Sequence, residues 1–153
     1  MTERLENTSP HDSQFVILRH ELATIPEEQG PSLRSAPAHF DWMLQVGESL
    51  LTWSTTPVAD LDRDLNLDAI QLPNHRCAYL EIQGEISGGR GSVTRLVRGQ
   101  LSHLVVSDDS CQADLLWPQT SERTLQRHLT IQRIALSDSW RLRLDCGLYD
   151  TNR

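Results

Sequence analysis

Lysine is absent from this chain of 153 residues: all 14 basic residues are arginine, set against 21 acids for a formal charge of −7. Coating a long tract of nucleic acid requires many phosphates to be neutralised, so an acidic, lysine-free chain is excluded from that role while a local phosphate site is not. No apolar run approaches the ~20 residues of a membrane-spanning helix, and no contact with a membrane is expected. Met1–Gln14 is polar and acidic and lacks the apolar core of a secretory signal, so a cytoplasmic protein is the expectation. Cys77, Cys111 and Cys146 are odd in number and form no C-x-x-C pair, which argues for reduced, buried thiols rather than a thiolate zinc site. Walker, nucleophile-elbow and H-E-x-x-H motifs are also missing.

What remains is a chain of one-domain length, read as a polar arm over 1–14 and a single domain over 15–150. Short runs with β-branched or aromatic content predict strands at Phe15–His20, His39–Val46, Leu50–Ser54, Ala69–Leu72, Cys77–Ile82, Ser92–Val97, Leu101–Val106, Leu129–Leu136 and Trp140–Leu144. Gly47-Glu48 between the second and third predicts a hairpin. Leu22–Ala38, Thr55–Asp68 and Ser107–Asp114 read as loops, and Thr120–His128 as a short helix. The acids of Thr55–Asp68 lack the glycine and terminal glutamate of an EF-hand, leaving a solvated acidic loop. The predicted fold is mainly β: a compact antiparallel β-barrel of short strands with one or two short helices.

Three segments carry possible chemistry. In His39-Phe40-Asp41-Trp42-Met43-Leu44-Gln45-Val46, strand alternation gives an apolar face of Phe40, Trp42, Leu44 and Val46, and sets His39 beside Asp41 on the other. Imidazole and carboxylate so placed are able to share a divalent metal, although the same pattern describes a solvent-facing polar row. In Asn74–Glu81 an extended chain puts His75 and Tyr79 on one side, as acid, phosphate donor or orienting group, or as a turn histidine and a packed tyrosine. Gly88-Gly89-Arg90-Gly91 offers backbone amides and a guanidinium to an anion, or is simply a turn. His11, His103 and His128 have no constellation around them. Charge is uneven along the chain: −8 over residues 1–68, +2 over 69–107 and −1 over 108–153, so only the region holding His75, Tyr79 and the glycine-rich turn is basic.

In order, FVILRH, HFDWML, LLTWS, HRCAYLEIQGEI and SGGRGSV resemble the 3′-phosphoesterase domain of bacterial DNA ligase D and its stand-alone relatives, from about Phe15 to Gly99, with a weaker trace at Trp140–Leu144. The resemblance implies a compact barrel and a manganese-dependent hydrolase, another divalent metal being possible, that trims 3′-phosphate or 3′-ribonucleotide ends of DNA or RNA to 3′-OH. It implies His20, His39 and Asp41 as metal ligands and His75 with Tyr79 as a phosphate-contacting pair; Arg76 and Arg90 would balance developing charge. A monomer is the expectation, with 3′ ends of DNA or RNA as partners and a separate ligase or polymerase as a further one. The sequence departs from the family at Met43, where an arginine is usual two positions after the motif aspartate, and at Leu67, near where a basic residue is usual. It departs too in the long Glu21–Ala38 interval and in Met1–Gln14, which lacks the family's arm residues. A barrel that binds nucleic-acid ends, a phosphorylated ligand or a repair partner without catalysis is the alternative.

Overall fold

In a computed structural model, residues 13–21, 38–85, 91–120 and 123–145 are described here. The strands are β1 (Gln14–Glu21), β2 (Ala38–Val46), β3 (Ser49–Thr55), β4 (Leu65–Arg76), β5 (Gly84–Glu85), β6 (Ser92–Val106), β7 (Ser110–Thr120), β8 (Arg123–Arg133) and β9 (Ser139–Asp145). Every pairing is antiparallel. The order β1-β2-β3-β4-β9-β8-β7-β6 closes on itself through β6–β1, giving an eight-stranded barrel with the two-residue β5 on its margin. Among the described residues no helix is long and apolar enough to cross a membrane.

The predicted hairpin is present. Val46 pairs with Ser49 around Gly47-Glu48, and Gly47 takes the positive φ of 59° that a two-residue hairpin loop favours. The barrel class stands, but several local expectations do not: β4 begins at Leu65, inside the stretch read as a loop to Asp68, and β8 ends at Arg133 rather than Leu136. Thr120–His128 is no helix: Arg123–Arg133 is one continuous strand, with Arg127, Leu129 and Ile131 buried at alternate positions. A charged residue at an inward position had broken the apolar alternation. Cys77–Leu80 is a single 3-10 turn rather than a strand, and this is the only helical element among the described residues. Ser107–Asp114 is mostly the start of β7, whose inward Cys111 and Ala113 are too small to signal a strand. The arm 1–12, the loop over 22–37 and residues 86–90, including Arg90, lie outside the described residues.

An eight-stranded barrel has an interior that side chains just fill. Phe15, Ile17, Phe40, Trp42, Leu44, Trp53, Leu115, Trp117, Leu129, Ile131, Trp140, Leu142 and Leu144 supply most of that filling. Phe15 stacks on Trp117, with ring centroids 5.8 Å apart, beneath Gly99. A Cβ on Gly99 would overlap the Leu116 carbonyl oxygen and stand 2.7 Å from the Phe15 ring, so only glycine fits there. Cys111 is wholly buried, and burial pushes its thiol up to about 12, which makes it inert.

Arg127 is a charged side chain buried inside the barrel. Its guanidinium lies 4.5 Å over the Trp117 ring and donates to the carbonyls of Leu61 and Arg63. Trp117 Nε1 donates to Asp62 Oδ1 at 3.2 Å. The acidic loop is therefore not simply solvated; it folds over one end of the barrel and is held there by a buried arginine. Replacing Arg127 with Met should cost about 2–4 kcal/mol, since two carbonyls lose a charged donor and the stacked contact is lost. Urea unfolding of both proteins measures this; a loss below about 0.5 kcal/mol, the scale of an inert surface change, would show that the loop is held by other means.

Candidate metal and phosphate site

On β1 and β2 the inward residues build the main core, so the alternate residues face outward. That outer row is not bare. Val16, Leu18, Met43, Leu50, Leu80 and Val93 form a second apolar cluster on the outside of the barrel, with Cys77, Tyr79 and Ile82 packed against it. The 3-10 turn exists because this outer face needs a cover, and Leu80 is its buried residue.

Beside this cluster the barrel register brings three predicted residues together. His20 pairs directly with His39 across β1–β2, and Leu18 pairs with Asp41. His20 Nδ1 is 3.3 Å from His39 Nε2, and His39 Nε2 is 3.2 Å from Asp41 Oδ1. Potential ligand atoms of His20, His39 and Asp41 all lie within 4.8 Å of one another. Two donors held about 2.1 Å from one ion stand roughly 3.0 Å apart at a right angle and about 3.4 Å apart in a tetrahedron. The two short separations fall in that range.

Asp41 sharpens the fit. Its Oδ1 is buried without a hydrogen-bond donor, because His39 Nε2 is near but not aligned to donate. A buried carboxylate oxygen with no donor is costly. An ion between the carboxylate and the imidazoles would relieve that cost, and two nitrogens with one oxygen suit a borderline divalent metal.

The second predicted pair is also formed. His75 and Tyr79 meet edge to face with centroids 4.9 Å apart. His75 Nδ1 donates to the Pro73 carbonyl at 3.0 Å, which leaves Nε2 as the ring atom facing any ligand. The two groups do not coincide in the sheet. His75 pairs with Leu50, whose β2 partner is Gln45, four residues beyond Asp41. At strand spacings this puts the His75 and Asp41 backbones about 16 Å apart. What narrows the gap is the turn, which carries Tyr79 back over the outer cluster that also borders Asp41. Arg76 is exposed and pairs with Ser49 at the far end of the hairpin.

The arginines beside the triad are ones the sequence reading passed over. A bulge at Leu96 shifts the β1–β6 register, so Arg95 pairs with Leu18 while Arg98 pairs with Val16, both on the outer face. Arg98 holds the cover in place: its Nε donates to Gln14 Oε1 at 2.7 Å, Nη2 to Glu81 at 2.9 Å and Nη1 to the Leu80 carbonyl at 3.4 Å. Arg95 Nη1 reaches the same Leu80 carbonyl at 3.2 Å. From the other side Gln45 Nε2 approaches Cys77 Sγ at 3.8 Å. His103 and His128 were missed as well: they flank Asp114, with Nδ1 atoms 3.0 and 2.8 Å from its two oxygens. His103 reaches it from a left-handed backbone (φ 53°) within an irregularity of β6, which alternation cannot foretell.

Compared with known proteins, the chain matches no family model and no curated protein.

Two outcomes follow from the geometry. Mn²⁺ should bind with one-to-one stoichiometry by isothermal titration, and His39→Ala or Asp41→Asn should weaken binding about 10- to 100-fold or more; equal affinity in either variant would contradict the triad. The second concerns the cover. Hydrogen bonding and charge from Arg98, then charge from Arg95, hold the Glu81 carboxyl below its ordinary value of 4.5. A lowered carboxylate stabilises the fold above its unfolded pKa and loses that effect as pH falls through the folded value. The difference in melting temperature between wild type and Glu81→Gln should therefore be present at neutral pH and close on acidification below pH 4.5; a difference independent of pH would contradict it.

Proposed function

We propose that the protein is a metal-dependent phosphoesterase acting on the 3′ ends of DNA or RNA, removing a 3′-phosphate or 3′-ribonucleotide to leave 3′-OH. The observation that carries this reading is the convergence of His20, His39 and Asp41 around one point beside a donorless buried carboxylate oxygen. The order of sequence segments that resemble ligase-D phosphoesterases supplies the substrate class.

His20, His39 and Asp41 would hold the ion, for which the resemblance points to manganese. Bound there, it supplies Lewis-acid charge to a phosphoryl group and a means of ionising water near neutral pH. The protein's own part is positioning and proton handling. The bond to Pro73 fixes the His75 ring so that Nε2 is free to accept a hydrogen bond or, when protonated, to donate to a phosphate or leaving oxygen. Tyr79 packs edge-on against that ring and limits its rotation, while its hydroxyl can donate to a phosphate oxygen. A 3′-OH product is the substrate form that a ligase or polymerase requires, which fits work beside such a partner.

One observation favours a second reading, a barrel that binds such ends without turnover. Met43, where the family has an arginine, is buried in the outer apolar cluster. The two readings separate in one assay, release of phosphate from a 3′-phosphorylated primer–template with Mn²⁺. The proposal predicts turnover that falls at least about 100-fold in His39→Ala and Asp41→Ala. Binding of the substrate without phosphate release under any divalent metal would establish the second reading, and full activity in either variant would overturn the first.

A further inference from the structure

We propose that Arg95 is the phosphate-contacting guanidinium of this site, in place of an arginine on β2. The inference rests on the reading of His20, His39 and Asp41 as a metal site and goes beyond it by naming the residue that recognises the phosphate dianion.

Position comes first. Arg95 stands opposite Leu18, and Val93 stands opposite His20, so Arg95 and His20 are diagonal neighbours on one face. Such neighbours have Cα atoms about 7–8 Å apart, within reach of a long side chain. Leu18 is flanked on its other side by Asp41. An anion held at the triad would thus be bordered by β6, the strand that carries Arg95. The bulge at Leu96 gives Arg95 this direction together with Arg98, and both converge on the Leu80 carbonyl.

Charge comes second. Arg19 is paired with Glu21 at 2.9 Å, and Arg98 with Glu81 at 2.9 Å. The bond from the Arg95 guanidinium goes to a neutral carbonyl and uses one of its five N–H groups. Among the described side chains that border the triad on this side, two guanidiniums, Arg95 and Arg98, stand against the one carboxylate of Glu81. A guanidinium fork matches phosphate oxygens in a way that Arg76, exposed at the far end of the hairpin, is not placed to do. Met43 then needs no substitute on its own strand: it serves as a floor for the cover, and the cation arrives from β6.

The test uses the full-length protein loaded with Mn²⁺ and inorganic phosphate as the probe, followed by broadening of the ³¹P resonance. Arg95→Gln keeps an amide donor for the Leu80 carbonyl while removing the charge. The expected result is phosphate binding weakened about 10-fold or more, with Mn²⁺ affinity changed less than about two-fold and with partial recovery in Arg95→Lys. Unchanged phosphate affinity in Arg95→Gln at equal metal loading overturns the proposal, as does a wild-type protein that binds Mn²⁺ but no phosphate. Failure of the wild type to bind Mn²⁺ overturns the metal-site reading and this proposal with it. Competition identifies the source of the phosphate. Displacement by a 3′-phosphorylated dinucleotide but not by its 3′-hydroxyl counterpart supports a nucleic-acid end. Displacement by neither leaves Arg95 as a phosphate contact and overturns the nucleic-acid end as its ligand.

Discussion

The pairing of β1 with both β2 and β6 is the constraint on which the rest of the molecule depends. It closes the sheet and removes its edges, and it also fixes which residues of three strands stand side by side. His20 meets His39 because β1 and β2 run in one register; Arg95 borders them because β6 runs in the other. The same closure gives the barrel two apolar clusters, one inside and one on the outer face of β1–β3. A buried interior is expected of any small barrel. The outer cluster is not required by the fold, and its presence beside the triad gives the site a dry wall and the 3-10 turn a reason to fold back.

That wall changes the electrostatics of the groups it borders. Asp41 is buried, and charges near low-dielectric surroundings interact more strongly than they would in water. The cover is held by polar contacts at both ends, through Gln45 of β2 to its own Cys77 and through Arg95 and Arg98 on β6 to its Leu80 carbonyl, with the Leu80 side chain buried between them. One segment thus carries Tyr79 and spans the space between His75 of β4 and the triad. The distance between these two groups along the sheet is large for a single phosphate, so the turn, rather than the strands, is what would let them act on one ligand.

The period of the strand made much of this legible. His39 and Asp41 could be set on one face from H-x-D alone, because alternation in β2 is unbroken, and the hairpin was marked by its glycine. His20 could not be joined to them by period, since the intervening residues carry no pattern and the contact is made by a non-local strand pair; only resemblance suggested it. Parity failed where the chain breaks its own rhythm. The bulge at Leu96 puts Arg95 and Arg98 on one face, whereas strict alternation would separate them. Arg127, charged and inward, made a strand look helical. The turn at Cys77–Leu80 has the composition of a strand and becomes a turn because of what lies beneath it.

Two imidazoles and one carboxylate on the outside of this barrel are proposed to hold a divalent ion that meets phosphate. The decisive measurement is pulsed electron paramagnetic resonance of the Mn²⁺-loaded protein with inorganic phosphate added. The expected spectrum shows hyperfine coupling to two imidazole nitrogens that depends on His20 and His39, together with coupling to phosphorus. A manganese signal with water protons alone, or with nitrogen coupling that persists when both histidines are replaced, would contradict it.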